Sequence, residues 1–235
     1  MKNLFLLSLI VLLTLFIPPL KAQVQLGLQA GANFADVTKF PAPVIEDLPE
    51  IDIDVETSMK TGFVFGGILF YSFSPIVGLQ VEPAYVQKGA KVDLSATIEG
   101  MSLKMEGTVT ADYIDIPVLL KASFGDGPVK PYLLAGASVA FLLGDVELEL
   151  DKATLNGVDV TSEIPSNERT EKLEANSTDF ILNFGGGVLI PLGQVNIFFE
   201  GQYNLGLTDV SDDPDDNTEI KTKGIQIKAG VLFPL

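Results

Sequence analysis

Apolar and polar residues alternate along most of the chain after its first two dozen positions. In the segment 25–34 (QLGLQAGANF), every second residue is apolar, and the residues between are glycine or amides. A period of two residues is that of a β-strand, whose side chains point alternately to opposite faces. Eight segments show this alternation, and they run over 25–34, 63–73, 77–85, 113–121, 132–141, 179–190, 195–204 and 225–235. Only a few apolar residues lie on the polar stripes, and these are Phe70, Leu189 and Phe198.

The links between these segments alternate in length. Short links follow the second, fourth and sixth segments and contain turn residues, such as Ser74-Pro75 and the run 125–128 (GDGP). The other links are long and acidic, and they cover about 36–59, 89–107, 145–176 and 208–222. Short turns at one end and long loops at the other are typical of outer-membrane barrels. We therefore predict an all-β fold, an eight-stranded antiparallel up-and-down transmembrane β-barrel over 23–235, with long extracellular loops and both termini periplasmic.

A soluble ligand-carrying barrel would show the same alternation with its apolar stripe turned inward. The apolar stripes contain no charged residue, and the opposite stripes are mostly glycine and small polar residues. A surface in contact with water normally carries dense lysine and glutamate. The composition therefore favours apolar stripes that face lipid and polar stripes that face a narrow lumen.

The N-terminus has the features of a cleavable signal peptide. Lys2 is followed by an apolar run from Leu4 to Leu20, and Lys21-Ala22 places a small residue before Gln23. We predict a signal peptide over 1–22, and the alternative is an uncleaved membrane anchor. No later apolar run is long enough to predict a transmembrane helix.

Composition argues against several functions. The chain has no histidine and no cysteine, which removes the commonest general base, thiol nucleophiles and thiolate metal sites. The net charge is −16, so a nucleic-acid partner is not expected. No residue spacing indicates serine–lysine or paired-carboxylate chemistry, so we predict no enzymatic activity and no cofactor.

Several stretches together resemble a known family. They are YIDIPVLLK (113–121), KPYLLAG (130–136), NFGGGV (183–188), YNLGLTD (203–209) and GVLF (230–233). The chain is similar to the outer-membrane β-barrel domain family of Bacteroidota, often called PorT-like. The resemblance implies an outer-membrane barrel, but it implies no activity, because the family is functionally mixed.

Charged residues on the inward stripes are the first candidate site. Buried charges need partners, so we expect these residues to form a salt-bridge network across the lumen. The predicted lumen charge network comprises Glu82, Lys88, Asp115, Lys121, Glu200 and Lys228. Because eight strands enclose a space that side chains about fill, the network favours a plugged lumen over a pore.

A second candidate lies beyond the membrane, where the alternation inverts. In the hairpin 92–109 and the run 146–150, the apolar residues stand at the alternate positions that face the lumen in the neighbouring membrane segments. A strand that passes from lipid into water should turn its polar side chains outward in this way. The predicted apolar collar comprises Val92, Leu94, Ile98, Leu103, Met105, Val146 and Leu148. It is either a small dry core or a cup for an apolar ligand or a partner's strand. The run 51–55 does not follow the rule, which indicates a bulge or a separate loop.

The run 209–219 is rich in carboxylates. Asp212, Asp213, Asp215 and Asp216 are weak candidates for calcium ligands. Their spacing is not that of an EF-hand, and Pro214 interrupts them, so a solvated acidic loop is the simpler interpretation. The expected partners are outer-membrane lipid and lipopolysaccharide, together with an extracellular protein or an apolar ligand. The predicted role is structural or surface-binding, and the alternative is small-solute transport or assistance in secretion.

Overall fold

The computed structural model describes residues 24–38, 52–98, 100–173, 175–210 and 219–235. It also leaves the side chains of Asp52 and Ile98 undescribed. The described residues form twelve β-strands and two single turns of 3₁₀ helix, at Thr161–Glu163 and Ser166–Glu168. The strands are β1 (Val24–Val37), β2 (Asp52–Ser72), β3 (Val77–Val81), β4 (Ala84–Ile98), β5 (Met101–Ser123), β6 (Lys130–Leu142), β7 (Val146–Leu155), β8 (Val158–Asp159), β9 (Thr170–Leu173), β10 (Thr178–Leu192), β11 (Val195–Gly206) and β12 (Thr222–Pro234). Among the described residues, no helix is long and apolar enough to cross a membrane.

The strand pairings form a closed, antiparallel ring. β1 pairs with both β2 and β12, and β12 continues through β11 and β10 to β6 and β5. β3 and β4 together fill the position between β2 and β5, because each of them pairs with both neighbours. The ring therefore has eight positions, which agrees with the eight alternating segments of the sequence.

The apolar stripes point away from the ring and the polar stripes point into it. Leu28 is 66% exposed and Ile227 59%, whereas Gln29 is 4% exposed and Asn183 1%. This is the reverse of a soluble carrier, which buries its apolar stripe. Exposed aromatic rings on the outer surface near the short turns include Tyr71, Phe73 and Phe233, and those nearer the long links include Phe63, Phe141, Phe180 and Tyr203.

Above the ring, the part of the sheet that the structure describes continues on one side only. Residues 52–59 of β2, 90–98 of β4 and 101–110 of β5 extend beyond the ring, and β7 pairs with β5 in line with β6. β8 and β9 then pair with β7. We call this extension, formed by the three ranges and β7 to β9, the half-collar. β1, β6, β10, β11 and β12 take no part in it.

The half-collar lies within two of the predicted long links. The link 89–107 is almost entirely strand, in agreement with the predicted hairpin 92–109. The link 145–176 contains β7, β8, β9 and both 3₁₀ turns, of which only the strand over 146–150 was predicted. The expected irregularity near 51–55 is present as a shift in the β2–β4 register between Met59 and Val64. Ser58 and Met59 are both exposed, so the side chains change faces at this point and Val55 turns inward.

Candidate functional site

An apolar cluster fills the bore near the short turns. Its buried members are Ile68, Leu119, Tyr132, Leu134, Phe198 and Leu232, with Phe70 and Leu189 packed against them. The three apolar exceptions to the alternation of the sequence are therefore part of this plug. Its aromatic rings fit because glycines lie beneath them. A Cβ built on Gly78 would come 2.5 Å from two carbons of the Phe70 ring, and one on Gly230 would come 2.6 Å from two carbons of Phe198.

The carboxylate of Glu82 is the centre of the polar layer beside this plug. Glu82 lies in the break between β3 and β4 and is 1% exposed. It accepts hydrogen bonds from Gln80 Nε2 at 2.5 Å, Gln29 Nε2 at 3.4 Å and Gln202 Nε2 at 3.3 Å. Gln202 belongs to β11, which lies four of the eight ring positions from β3 and β4. The Glu82–Gln202 contact therefore crosses the bore.

Lys228 supplies the positive charge of this layer. Its Nζ lies 2.5 Å from Glu82 Oε2 and 3.0 Å from Glu200 Oε1, and all three side chains are almost completely buried. Glu200 also accepts hydrogen bonds from the Tyr132 hydroxyl at 2.9 Å and from Gln202 Nε2 at 2.8 Å. Because each carboxylate has a cation and at least two neutral donors, the group satisfies the requirements of buried charges.

Lys121 is tied to the same layer through Gln80. Its Nζ donates to Gln80 Oε1 at 2.9 Å and lies 3.8 Å from the centroid of the Tyr132 ring. It also lies 5.2 Å from the centroid of Phe70. Lys121 thus joins the apolar plug to the charged layer, since an ammonium group is attracted to the face of an aromatic ring.

A second polar layer lies nearer the half-collar. Lys88 Nζ is 3.4 Å from Asp179 Oδ2, which also accepts from the Thr222 hydroxyl at 2.6 Å. Lys88 and Asp115 line a cavity of about 10 Å³, together with Asn204. The Asp115 Oδ1 atom is buried and has no hydrogen-bond partner. A cavity of this size holds about one water molecule.

The inner face of the half-collar is apolar. Val92, Val109 and Val146 are buried in one cluster with Tyr113 and Ile181 of the ring. This cluster lies at the end of the ring opposite to the short turns. The other predicted collar residues lie above it on the same face, half-buried, and these are Leu94, Leu103, Met105 and Leu148. The side chain of Ile98 is outside what the structure describes.

No metal site is evident in the described part of the chain. It contains no group of three or more histidine, cysteine, aspartate or glutamate residues arranged to hold a metal ion. The four weak calcium candidates, Asp212, Asp213, Asp215 and Asp216, lie outside the described residues.

A family model now complements this geometry. The model named "Outer membrane protein beta-barrel domain" matches residues 18–212, which is most of the chain. The chain belongs to the outer membrane protein beta-barrel domain family. The closed ring, its outward apolar surface and its polar interior agree with that description. No curated protein sequence matches this barrel protein.

Several solved structures of outer-membrane proteins are similar to this barrel. Ail, the attachment invasion locus protein of Yersinia pestis, is 13% identical and has a TM-score of 0.40, with 90% of this chain and 99% of Ail covered. Neisserial surface protein A is 16% identical with a TM-score of 0.40, covering 89% of this chain and 97% of that one. The outer membrane protease OmpT from Escherichia coli is 9% identical with a TM-score of 0.39, covering 93% and 100%. These similarities are too distant to indicate a function.

The barrel groups the predicted lumen residues into two layers rather than one network. Glu82, Glu200 and Lys228 are in direct contact, and Lys121 joins them through Gln80. Lys88 instead pairs with Asp179, which was not among the predicted residues. Asp115 has no ion pair within 4.0 Å among the described residues.

Sequence reasoning also missed the neutral partners of these charges, which are Gln29, Gln80, Tyr132 and Gln202. All four lie on the inward stripes, so their position in the alternating pattern was the sequence feature that could have identified them.

Proposed function

We propose that this protein is an eight-stranded, up-and-down transmembrane barrel of the outer membrane that has no enzymatic activity and serves as a structural or surface-binding protein. Its lumen is plugged and conducts no solute. The observation that carries the proposal is the position of the Glu82 carboxylate, which receives hydrogen bonds from β1, β3 and β11 and an ion pair from β12. One buried side chain thus ties opposite walls of the bore together.

The seal has three consecutive parts. The apolar plug around Phe198 fills the bore near the short turns, the layer around Glu82 follows, and the cluster around Val109 lies beneath the half-collar. To pass a solute, the barrel would have to separate buried ion pairs as well as pack side chains aside. Breaking a buried ion pair costs about 3–5 kcal/mol, which makes spontaneous opening rare.

The membrane orientation follows from the two ends of the barrel. The short turns and both ends of the ring-forming chain lie at one end, and the acidic links and the half-collar lie at the other. We assign the first end to the periplasm and the second to the cell surface, as in outer-membrane barrels generally. The exposed apolar surface would then contact outer-membrane lipid, with lipopolysaccharide around the half-collar. An extracellular protein or apolar ligand would bind at the half-collar.

Two further expectations accompany this assignment. Residues 1–22 are proposed to be a signal peptide, removed on export, and they lie outside the described residues. The stretches 113–121 and 130–136 support placing the chain among the PorT-like barrels of Bacteroidota. Neither expectation alters the proposal of a sealed bore.

Conductance tests the seal. The refolded protein in a planar bilayer is expected to show no steady channel. A triple variant with Phe198→Ala, Glu82→Ala and Val109→Ala weakens each of the three parts of the seal and should conduct. A heat-modifiability gel first establishes that both proteins are folded. A steady channel in the unaltered protein would show that the bore is not sealed, and the transport alternative would replace the proposal.

Protease treatment of whole cells tests the orientation. The half-collar and the acidic links are expected to be cut from outside, while a tag after Leu235 should become accessible only when the outer membrane is permeabilised. Cleavage of the tag in intact cells would contradict the proposed orientation.

A further inference from the structure

The two edges of the half-collar are treated differently by the chain. At one edge, β7 is covered by β9, which pairs with residues 146–149, and by β8, which pairs with residues 154–155. At the other edge, residues 52–59 of β2 pair with β4 on one side. The pairing of β1 with β2 ends at Ala35 and Lys60, so no described strand lies on the other side of residues 52–59.

An exposed strand edge presents unpaired backbone N–H and C=O groups, and another chain can add a strand there. The open segment has eight residues and a length of about 26 Å, at roughly 3.3 Å per residue. This length is sufficient for a partner strand of about seven residues. Among the described residues, the half-collar therefore has one edge, at β7, whose backbone groups are paired by β8 and β9, and one edge, at residues 52–59, that has no strand beside it.

The side chains of the open edge determine which sequence pattern an added strand would need. Ile53 and Val55 face inward and are half-buried, and Val55 packs against the apolar cluster beneath the half-collar. Asp54 and Glu56 face outward and are exposed. A strand added beside them would place every second side chain over the apolar inner face and the others beside these carboxylates.

Like charges make the outer face of this edge electrostatically unfavourable. Glu56 is the cross-strand neighbour of Asp93, which is in turn the neighbour of Glu106. Carboxylates directly opposite one another in a sheet repel. The nearest outward lysines are Lys91 of β4, which is opposite Ser58, and Lys104 of β5, which is opposite Ser95. The outward residues of β2 between positions 53 and 59 include no cation. A positive side chain beside Glu56 would reduce the repulsion.

We propose that the open edge of β2, residues 52–59, binds an extended segment of another protein in which basic and apolar residues alternate. The apolar residues would extend the inner face beside Ile53 and Val55, and the basic residues would pair with Asp54 and Glu56. The added strand supplies the backbone partners that β8 and β9 supply at the other edge. This inference rests on the proposed surface-binding function and names the class of partner.

Hydrogen–deuterium exchange on the full-length protein, folded in detergent micelles, tests the inference. The probe is a capped peptide with the sequence KVKIKVK. Binding should slow exchange of the amides within residues 52–59 and leave the amides of β12 unchanged. A peptide with proline at the centre (KVKPKVK) has the same charge but cannot complete the strand, and an acidic peptide (EVEIEVE) has the same alternation with opposite charge.

A pair of matched variants separates this edge from the general negative charge of the protein. The variant D54N/E56Q should weaken KVKIKVK binding about 2- to 30-fold, the range expected for the loss of two exposed ion pairs. The variant E147Q/E149Q removes the same charge from the exposed outer face of β7 and should leave binding unchanged. Fluorescence anisotropy of a labelled peptide measures both.

Several outcomes would overturn the inference. They are no protection at residues 52–59, equal binding of the proline or acidic peptide, equal weakening by both variants, or amides in this segment that are already fully protected without peptide. None of them affects the conductance test, so failure of this inference can be distinguished from failure of the sealed-barrel proposal. Conversely, if the barrel conducts but the amides of residues 52–59 are protected when peptide is added, the inference about the β2 edge stands and the sealed-barrel proposal fails.

Discussion

The ammonium group of Lys228 lies 2.5 Å from the carboxylate of Glu82, although their strands are three positions apart around the ring. The same ammonium group lies 3.0 Å from Glu200 on the neighbouring strand. One cation thus compensates two buried carboxylates. The remaining acceptor capacity of these carboxylates is used by glutamine and tyrosine donors.

Replacing Lys228 with methionine should destabilise the barrel strongly. The variant retains most of the side-chain volume but leaves Glu82 and Glu200 without their shared cation, and removal of one partner of a buried pair costs about 3–5 kcal/mol. The free energy of unfolding in micelles, from urea titration of the heat-modifiable form, measures the effect. Lys172→Met is the control. It removes only the exposed pair with Asp145 and should leave the free energy of unfolding almost unchanged. Equal losses in the two variants would show that the buried cation has no special role.

Gly78→Ala should destabilise the barrel by about 1–3 kcal/mol, because the new methyl group would overlap the Phe70 ring. Gly67 is a matched control on the outer face, since the nearest atom to a Cβ there is 3.8 Å away, and Gly67→Ala should be nearly neutral. Adding Phe70→Ala to Gly78→Ala should cost less than the sum of the two single changes, because the overlap with the ring is then absent and only the approach to the Tyr71 backbone oxygen, at 2.7 Å, remains. Strict additivity in this double-mutant cycle would contradict the packing of the ring on the glycine.

Val146→Asp should unfold the half-collar and leave the ring folded. Val146 is buried in the apolar cluster, and an unpaired carboxylate there costs at least about 2 kcal/mol. Proteolysis within residues 92–109 and 146–173 should accelerate roughly 30-fold or more, because cleavage follows the population of the open form. Heat modifiability should persist. Glu147→Ala, at the exposed neighbouring position, should be cut at the original rate. A Val146→Asp protein that resists protease would show that the cluster does not hold the half-collar.

The β7–β8 hairpin should lose a local contact in acid. Hydrogen bonds from the Thr161 hydroxyl and the Thr161 backbone N–H lower the pKa of Asp159 from its ordinary value of 3.8. A lowered folded-state pKa means that the contribution to stability is present above pH 3.8 and is lost as the pH falls through the folded-state value. Thr161→Val should raise the pKa of Asp159, and Thr161→Ser should keep it low. Carbon NMR titration of the Asp159 carboxyl group provides the measurement, and an unchanged pKa in Thr161→Val would contradict the assigned cause.

The ring and its two faces were predictable because lipid and a narrow lumen impose opposite chemistry on alternate residues. The apolar residues that broke the alternation, Phe70, Leu189 and Phe198, could not be interpreted from sequence alone, since their role depends on their meeting inside the bore. The same limit applies to Lys88 and Asp179, which are 91 positions apart in the chain. Which inward charges meet depends on the stagger of strands around the ring, and no local pattern encodes that stagger.

The half-collar was partly predictable. The parity of Val92, Leu103 and Val146 predicted that their side chains face inward, and the two valines are buried and Leu103 half-buried on that face. The one-sidedness of the half-collar was not predictable, because the link 36–59 shows little alternation before residue 51. The β2 bulge also reverses parity between Val55 and Val64, so a simple period-two count fails across it.

The location of Lys228 on the last strand has a consequence for biogenesis. Until β12 docks between β11 and β1, Glu82 and Glu200 lack their ion pair with Lys228, and Lys121, which is joined to them only through Gln80, is the remaining cation of this layer. Closure of the seam and neutralisation of the interior are thus a single event. A chain truncated before its final strand would remain both open and charged within, which distinguishes unfinished molecules from completed ones by electrostatics as well as by shape.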